Sequence, residues 1–281
     1  MRLVSIIMGI YNCADTLEEA IDSILRQTYP EWELIMCDDG STDGTYAVAD
    51  RYRQQYPDRI VLLKNGENKK LAFTLNHCLQ HARGYYVARM DGDDISLPER
   101  LAREVAYLEA HPDIQVVGTG MQRFDEQGYG AAVFTPEHPT PETMKTSVPF
   151  FHATIMTYKS VYDALGGYTV ARHTERSQDW ELWFRFFSKG FKGDNLQEAL
   201  YLVREDRNAV KRRSFSSRLK TIKSTFIGYR MLGFPPQAYI RPLLGLLKGL
   251  VPSGLVLKYR KRQAQKAGQT QDRPSTERPE R

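Results

Sequence analysis

Apolar and polar positions alternate between two periods along the first part of the chain. Leu3 to Ile10 is a continuous apolar run, which fits a strand covered on both faces in a parallel sheet. After Tyr11-Asn12, Asp15 or Thr16 opens a helical pattern in which Leu17, Ala20, Ile21, Ile24 and Leu25 share one face, and Tyr29-Pro30 closes it. Leu34 to Cys37 reads as a second strand. A helix with Ala47, Val48 and Tyr52 spacing runs up to Tyr56-Pro57, and Ile60 to Leu63 is a third strand. The polar loop Lys64 to Lys70 leads to a helix from Leu71 to His81, and Gly84 precedes a β-prone run, Tyr85 to Met90. Pro98-Glu99 opens a helix over Leu101 to Glu109, and Ile114 to Val117 is a further strand. This alternation predicts the α/β class: βαβ units, right-handed crossovers and a Rossmann-like, mostly parallel sheet with helices on both faces. Ligands then bind at the carboxyl ends of the strands.

After Gly120 the pattern loosens, and the Pro-rich stretch Thr135 to Pro149 reads as a surface excursion. Ala153 to Tyr158 fits a strand, Val161 to Leu165 a helix closed by Gly166-Gly167, and Asp179 to Phe187 an aromatic-rich helix. These elements predict a catalytic domain over 1–203, with a nucleotide-binding half (1–120) and an acceptor half (121–203). A basic extension (204–262) and a polar, disordered tail (263–281) follow.

Charge sharpens that division. The chain of 281 residues is net +5, yet Arg204 to Arg262 holds 15 Lys/Arg against 2 Asp/Glu, so the remainder is net −8. A basic appendage on an acidic core argues against nucleic-acid binding and for contact with an anionic surface. The stretch Pro242 to Leu257 is too short and too interrupted to span a bilayer. Flanked by Lys258, Arg260, Lys261 and Arg262, it fits an anionic membrane interface, with a helix packed on the main domain as the alternative. Cys13, Cys37 and Cys78 show no metal or disulfide spacing. With an N-terminus that enters a strand directly, they point to a reducing, cytoplasmic setting, peripheral on the inner face of the plasma membrane.

Two acidic loops carry the candidate chemistry. Asp91-Gly92-Asp93-Asp94 ends an apolar strand in crowded carboxylates, which a divalent cation would neutralise. If strand geometry persists into the loop, Asp91 and Asp93 converge and Asp94 turns aside; two hard oxygen ligands suit Mg²⁺ or Mn²⁺ shared with substrate phosphates. A solvated Asp-Gly turn is the plainer alternative. Asp38-Asp39 ends a buried strand, where a carboxylate can accept from a base N–H or a ribose hydroxyl, or cap the helix at Thr45. Asp179 lies at a helix start, a position that capping also explains. The stripe Trp180, Trp183, Phe184 and Phe187 fits core better than a sugar platform, and His152 fits a structural histidine better than an acceptor contact. EF-hand templates fail at both loops. A Walker-A loop is missing, and Gly118-Thr119-Gly120 lacks the third glycine of a dinucleotide fingerprint.

Jointly, four segments resemble the inverting family 2 glycosyltransferases that build bacterial capsule, exopolysaccharide or lipopolysaccharide. They are Val4 to Asn12, Asp38 to Asp43, Ala88 to Ile95 with Pro98 to Leu101, and Gln178 to Trp183, in matching order and spacing up to about Tyr201. The resemblance implies the A-type nucleotide-sugar fold, Mn²⁺ or Mg²⁺ as cofactor, a nucleotide-diphosphate sugar donor (a UDP-sugar foremost) and a hydroxyl acceptor; the basic apolar C-terminal segment, with its attraction to anionic lipid, points to a lipid-linked oligosaccharide as that acceptor. It implies that Asp39 contacts the base with Tyr11 stacked near it and Gly9 in the same segment. Asp91 and Asp93 serve the metal and sugar diphosphate, with Lys69 or Lys70 assisting, and Asp179 is the catalytic base. Gln178 departs from an acid common ahead of the base, and Leu71 from a common glycine. A nucleotidyltransferase, a nucleotide-sugar hydrolase and a non-catalytic membrane-associated binder are the alternatives.

Overall fold

The opening apolar run becomes β1 (Val4–Ile10), buried on both faces. Ile6, Met8 and Ile10 join one core with Leu34 and Met36 of β2 (Trp32–Asp38), and Ile7 joins a second with Ile35 and Cys37, as the two-residue strand period requires. The first core is covered by α1 (Ala14–Leu25) and α2 (Thr45–Gln55), the second by α3 (Leu71–His81), and α4 (Arg100–Ala110) returns to the first. With β3 (Ile60–Lys64) and β4 (Tyr86–Arg89) these strands form a parallel block in the order β3-β2-β1-β4. The structure is a computed structural model that describes residues 1–205 and 215–249, with side chains to 205 and from 219 to 244.

Beyond β4 the sheet is mixed. β5 (Ile95–Ser96) is a short edge strand, and β6 (Val116–Asp125) carries β7 (Gly128–Val133) as a hairpin. β8 (Met156–Tyr158) lies antiparallel between β4 and β6, and β9 (Gly193–Arg204) runs parallel to β6 and takes β5 on its far side. The strand expected over Ile114 to Val117 is thus the start of a longer one that runs through residue 120, so the two expected halves share a strand.

The pattern of polar residues hid β9. Asp194 and Asn195 are buried inside it because they are bonded: Tyr107 Oη donates to Asp194 Oδ2 (2.8 Å), and Asn195 Nδ2 donates to the Pro136 and Pro149 carbonyls (2.7 and 2.9 Å). Those bonds fasten the Pro-rich stretch, whose 3₁₀ turn Pro141–Lys145 buries Met144.

The helices α5 (Lys159–Leu165) and α6 (Gln178–Ser188) follow, and α7 (Phe215–Met231) packs on α6. A Cβ on Gly228 would fall 2.1 Å from the Phe184 ring, Trp180 Nε1 donates to Thr225 Oγ1 (3.0 Å), and Tyr229 and Phe234 are buried. The chain beyond Arg204 therefore rejoins the fold before it reaches α8 (Ile240–Gly249), where Ile240, Leu243 and Leu244 are exposed. Among the described residues no helix is long and apolar enough to cross a membrane. The far end of the interfacial stretch at Leu257, its flank Lys258 to Arg262 and the tail 263–281 lie outside the described residues.

Candidate functional site

The loops after β1 and β2 are sewn together by side chains. Asn12 N–H donates to Ser41 Oγ (3.0 Å), Thr42 N–H to Asn12 Oδ1 (2.9 Å) and Cys13 N–H to Thr45 Oγ1 (2.8 Å). Tyr11 stands at the rim, 47% exposed. Gly9 lies beneath α3, where a Cβ would sit 2.9 Å from Leu71 Cδ1, so its bareness lets α3 approach β1. Asp38 takes the turn-forming part, with both carboxylate oxygens 3.3 Å from the Ser41 N–H.

Asp39 does something different. Its Oδ1 accepts from Asn65 Nδ2 (2.8 Å) and the Lys69 N–H (2.8 Å), and its Oδ2 accepts from the Lys70 N–H (2.9 Å). A carboxylate has about four acceptor sites, so three are in use and one is uncommitted among the described residues. The bonded backbone is strained: Lys70 has φ +73° and ψ 159°, a region that glycine alone adopts readily. The glycine-like position is therefore Lys70, one residue before Leu71, where the sequence suggested it. Such a residue costs about 1–3 kcal/mol and persists only where its surroundings hold it. Among the described residues the other non-glycine positive φ angles are at Asn12 (+48°) and Arg176 (+64°). They stand after β1, before α3 and before α6. Lys70 also lies close enough to Glu175 for its charge, after the Lys220 hydrogen bond, to help hold that carboxyl down.

The acidic loop gathers three carboxylates. β4 ends at Arg89, two residues short of Asp91, and a turn at Gly92-Asp93 breaks the strand alternation. Asp94 consequently does not turn aside: oxygen atoms of Asp91, Asp93 and Asp94 all lie within 4.8 Å of one another. Asp91 pairs with the buried Arg89 guanidinium, and its N–H donates to Tyr201 Oη (3.1 Å). Asp94 is buried and accepts from the Arg204 N–H (2.9 Å), while Arg204 Nε donates to the Asp93 carbonyl (3.0 Å). Gly92 packs so tightly on the turn from β1 into α1 that a Cβ would meet Ile10 Cγ2 at 3.0 Å and Cys13 Sγ at 3.1 Å. Desolvation by the crowded groups around them, and then the Asp91 charge, push the Asp93 and Asp94 carboxyls upward, although Asp93 still reaches the surface while Asp94 is buried. This donor set fits a hard divalent cation, since it is all oxygen, closely spaced and carries repulsion that a cation would relieve.

Asp179 occupies the second position of α6, behind the N-cap residue Ser177. Burial raises its carboxyl above the ordinary range, against which the Trp180 amide and the Arg89 charge favour the ionised form. Arg89, 4% exposed, pairs with Asp91, and its charge also reaches Asp179; its Nε has no hydrogen-bond partner among the described residues.

Residues 5–174 match the profile of Glycosyl transferase family 2. The chain belongs to that family. It is 51% identical over 259 residues to EpsE of Bacillus subtilis (strain 168), a protein with a glycosyltransferase name, covering 92% of this chain and 93% of that one. It is 29% identical over 205 residues to an Escherichia coli protein named UDP-Glc:alpha-D-GlcNAc-diphosphoundecaprenol beta-1,3-glucosyltransferase WfaP, covering 72% of this chain and 78% of that one. The solved mannosyltransferase PcManGT of Pyrobaculum calidifontis, in complex with GDP-Man and Mn²⁺, superposes with a TM-score of 0.63 at 22% identity. That superposition covers 87% of this chain and 68% of PcManGT, and supports the A-type fold.

In this glycosyltransferase the aromatic stripe of α6 is core, as its spacing suggested: Trp183, Phe184 and Phe187 are buried. His152 lies 2.8 Å by Nε2 from Tyr168 Oη and edge-on to Trp183, and burial keeps it neutral. Sequence reasoning missed Arg89, Asn65, Tyr201 and Arg204. A lone charge inside the apolar run before Asp91 was a signal for Arg89. The other three reach the site only through long-range folding.

Proposed function

We propose that this glycosyltransferase is a metal-dependent, inverting enzyme that moves a sugar from a UDP-sugar to an acceptor hydroxyl during assembly of a cell-surface polysaccharide. The observation that carries the reading is the cluster of Asp91, Asp93 and Asp94, with Asp179 near enough for the Arg89 and Asp91 charges to act on its carboxyl. Asp91 and Asp93 would hold Mn²⁺ or Mg²⁺, which when bound neutralises charge on the departing diphosphate. Asp39 offers its remaining acceptor site to a base N–H, Tyr11 supplies a ring beside it, and Lys70 supplies a cation for the diphosphate. Asp179 takes the acceptor proton as that oxygen bonds to the anomeric carbon and the bond from that carbon to the diphosphate breaks. A single displacement inverts the centre. The name of WfaP favours UDP and a diphosphoundecaprenol-linked acceptor, and the Mn²⁺ with PcManGT favours that ion.

Calorimetric titration with UDP, with and without Mn²⁺, tests the donor site. Binding is expected with the metal and is expected to weaken at least about tenfold without it, since the diphosphate would otherwise meet three bare carboxylates. No binding in either condition overturns the reading of this site as one for UDP.

A lipid-linked acceptor would favour work at the inner face of the plasma membrane, and exposed Ile240, Leu243 and Leu244 beside Arg241 suit an anionic interface. Co-sedimentation with phosphatidylglycerol-containing vesicles is expected at low salt and is expected to fall as salt rises. No sedimentation at low salt removes the membrane placement and leaves the transferase reading intact.

A further inference from the structure

Lys70 cannot hold its backbone conformation by its own preference, so its neighbours must impose it. The Lys70 N–H is held by Asp39 Oδ2, and Asp39 is in turn held by Asn65, which is 5% exposed. Asn65 has its polar groups engaged. Its backbone N–H donates to the Asp38 carbonyl (2.8 Å), and its Nδ2 donates to Asp39 Oδ1 (2.8 Å) and Thr74 Oγ1 (3.1 Å). Its Oδ1 lies 3.1 Å from His77 Nδ1 and 3.5 Å from Cys37 Sγ. The side-chain amide can point only one way here: its N–H groups face a carboxylate, which accepts only, and its oxygen faces a histidine that can donate. Burial, and then His81, lower the His77 pKa, and the neutral tautomer with its proton on Nδ1 is the one that donates to Asn65 Oδ1. An aspartate at this position would set two carboxylates against each other.

We propose that Asn65 is a positioning residue for donor binding: it aims the Asp39 carboxylate, and the aimed carboxylate holds Lys70 in its glycine-like conformation. The inference rests on the reading of Asp39 and Lys70 as donor contacts. Asn65 touches no substrate. It acts by making the arch from Asn65 to Lys70 rigid before the nucleotide arrives, so that binding does not have to order it.

Four proteins decide the matter: the parent, Asn65→Ala, Lys70→Gly and the double variant, each titrated calorimetrically with UDP in the presence of Mn²⁺. Asn65→Ala is expected to weaken UDP about tenfold in the parent, because the strained lysine is released. On the Lys70→Gly background the same change is expected to cost less than about threefold, because glycine holds that conformation unaided. Equal losses on both backgrounds overturn the proposal, as does no loss in the parent. Amide hydrogen exchange of the peptide containing Lys69 and Lys70 adds a readout that needs no ligand. Faster exchange in Asn65→Ala is expected, and unchanged protection overturns the clamp. If the parent itself fails to bind UDP, the donor assignment falls while the exchange result still decides whether Asn65 holds the arch.

Discussion

Asp179→Asn is expected to bind UDP with Mn²⁺ as the parent does and to transfer sugar at least about 100-fold more slowly, the usual scale for losing a positioned general base. Asparagine keeps the shape and the place at the start of α6, so binding and folding serve as internal controls. A transfer rate within about threefold of the parent would sink the assignment of the base. The pH profile supplies a second check with a defined sign. Burial raises the Asp179 carboxyl, Arg89 limits the rise, and the base works only when ionised. In the parent, kcat is therefore expected to fall as pH drops through that raised value and to level off above it. A fall on the acid side governed by Asp179 is expected to disappear in the asparagine variant.

Asp93→Ala carries the other large effect. Asp91 is tied to Arg89 and Asp94 to the Arg204 N–H, so Asp93 is the exposed member of the cluster and the one whose loss least disturbs the loop. The variant is expected to lose Mn²⁺-dependent UDP binding and to turn over at least about 100-fold more slowly, because an electrostatic stabiliser of the leaving group is gone. Folding offers an independent readout. Without metal the variant is expected to melt no lower than the parent, since one of the mutually repelling carboxylates has been removed. Mn²⁺ with UDP is expected to raise the melting temperature of the parent alone. Retained metal-dependent binding in Asp93→Ala would reassign the ligands to Asp91 and Asp94.

The sequence showed most clearly those parts whose structure depends on near neighbours. α3 begins and ends where the periodicity placed it, and β1 to β4 and α1 to α4 lie within a few residues of their expected bounds, because each buries an apolar face in a regular period. β9 was invisible for the opposite reason. Its inward polar residues find distant partners, Asp194 in Tyr107 of α4 and the Asn195 amide N–H groups in the Pro-rich stretch about 50 residues upstream, and no local pattern announces them. Asp91 and Asp93 do converge, but not for the reason their spacing gave: the strand stops at Arg89 and a turn resets the direction of the side chains, which brings Asp94 inward as well. Asp39 was legible as a carboxylate in the right place. That most of its acceptor sites are already committed to Asn65, Lys69 and Lys70 could be read only from the folded chain. Lys70 was legible as a cation. Its strain was not, because a lysine in a sequence says nothing of the backbone it will be made to adopt.

The contacts from β9 to the acidic loop also bear on how the protein is made. The bonds from Arg204 to Asp94 and from Tyr201 to Asp91 each join residues 110 positions apart. When a ribosome has released the chain only to residue 174, where the family match ends, the parallel block and its carboxylates have emerged but the strand that shapes them has not. N-terminal elements fold as they appear, and long-range pairings wait for their partners. The order of synthesis therefore puts completion of the acidic loop after that of the sheet that carries it, and an unfinished nascent chain lacks the bonds that set its three carboxylates in place.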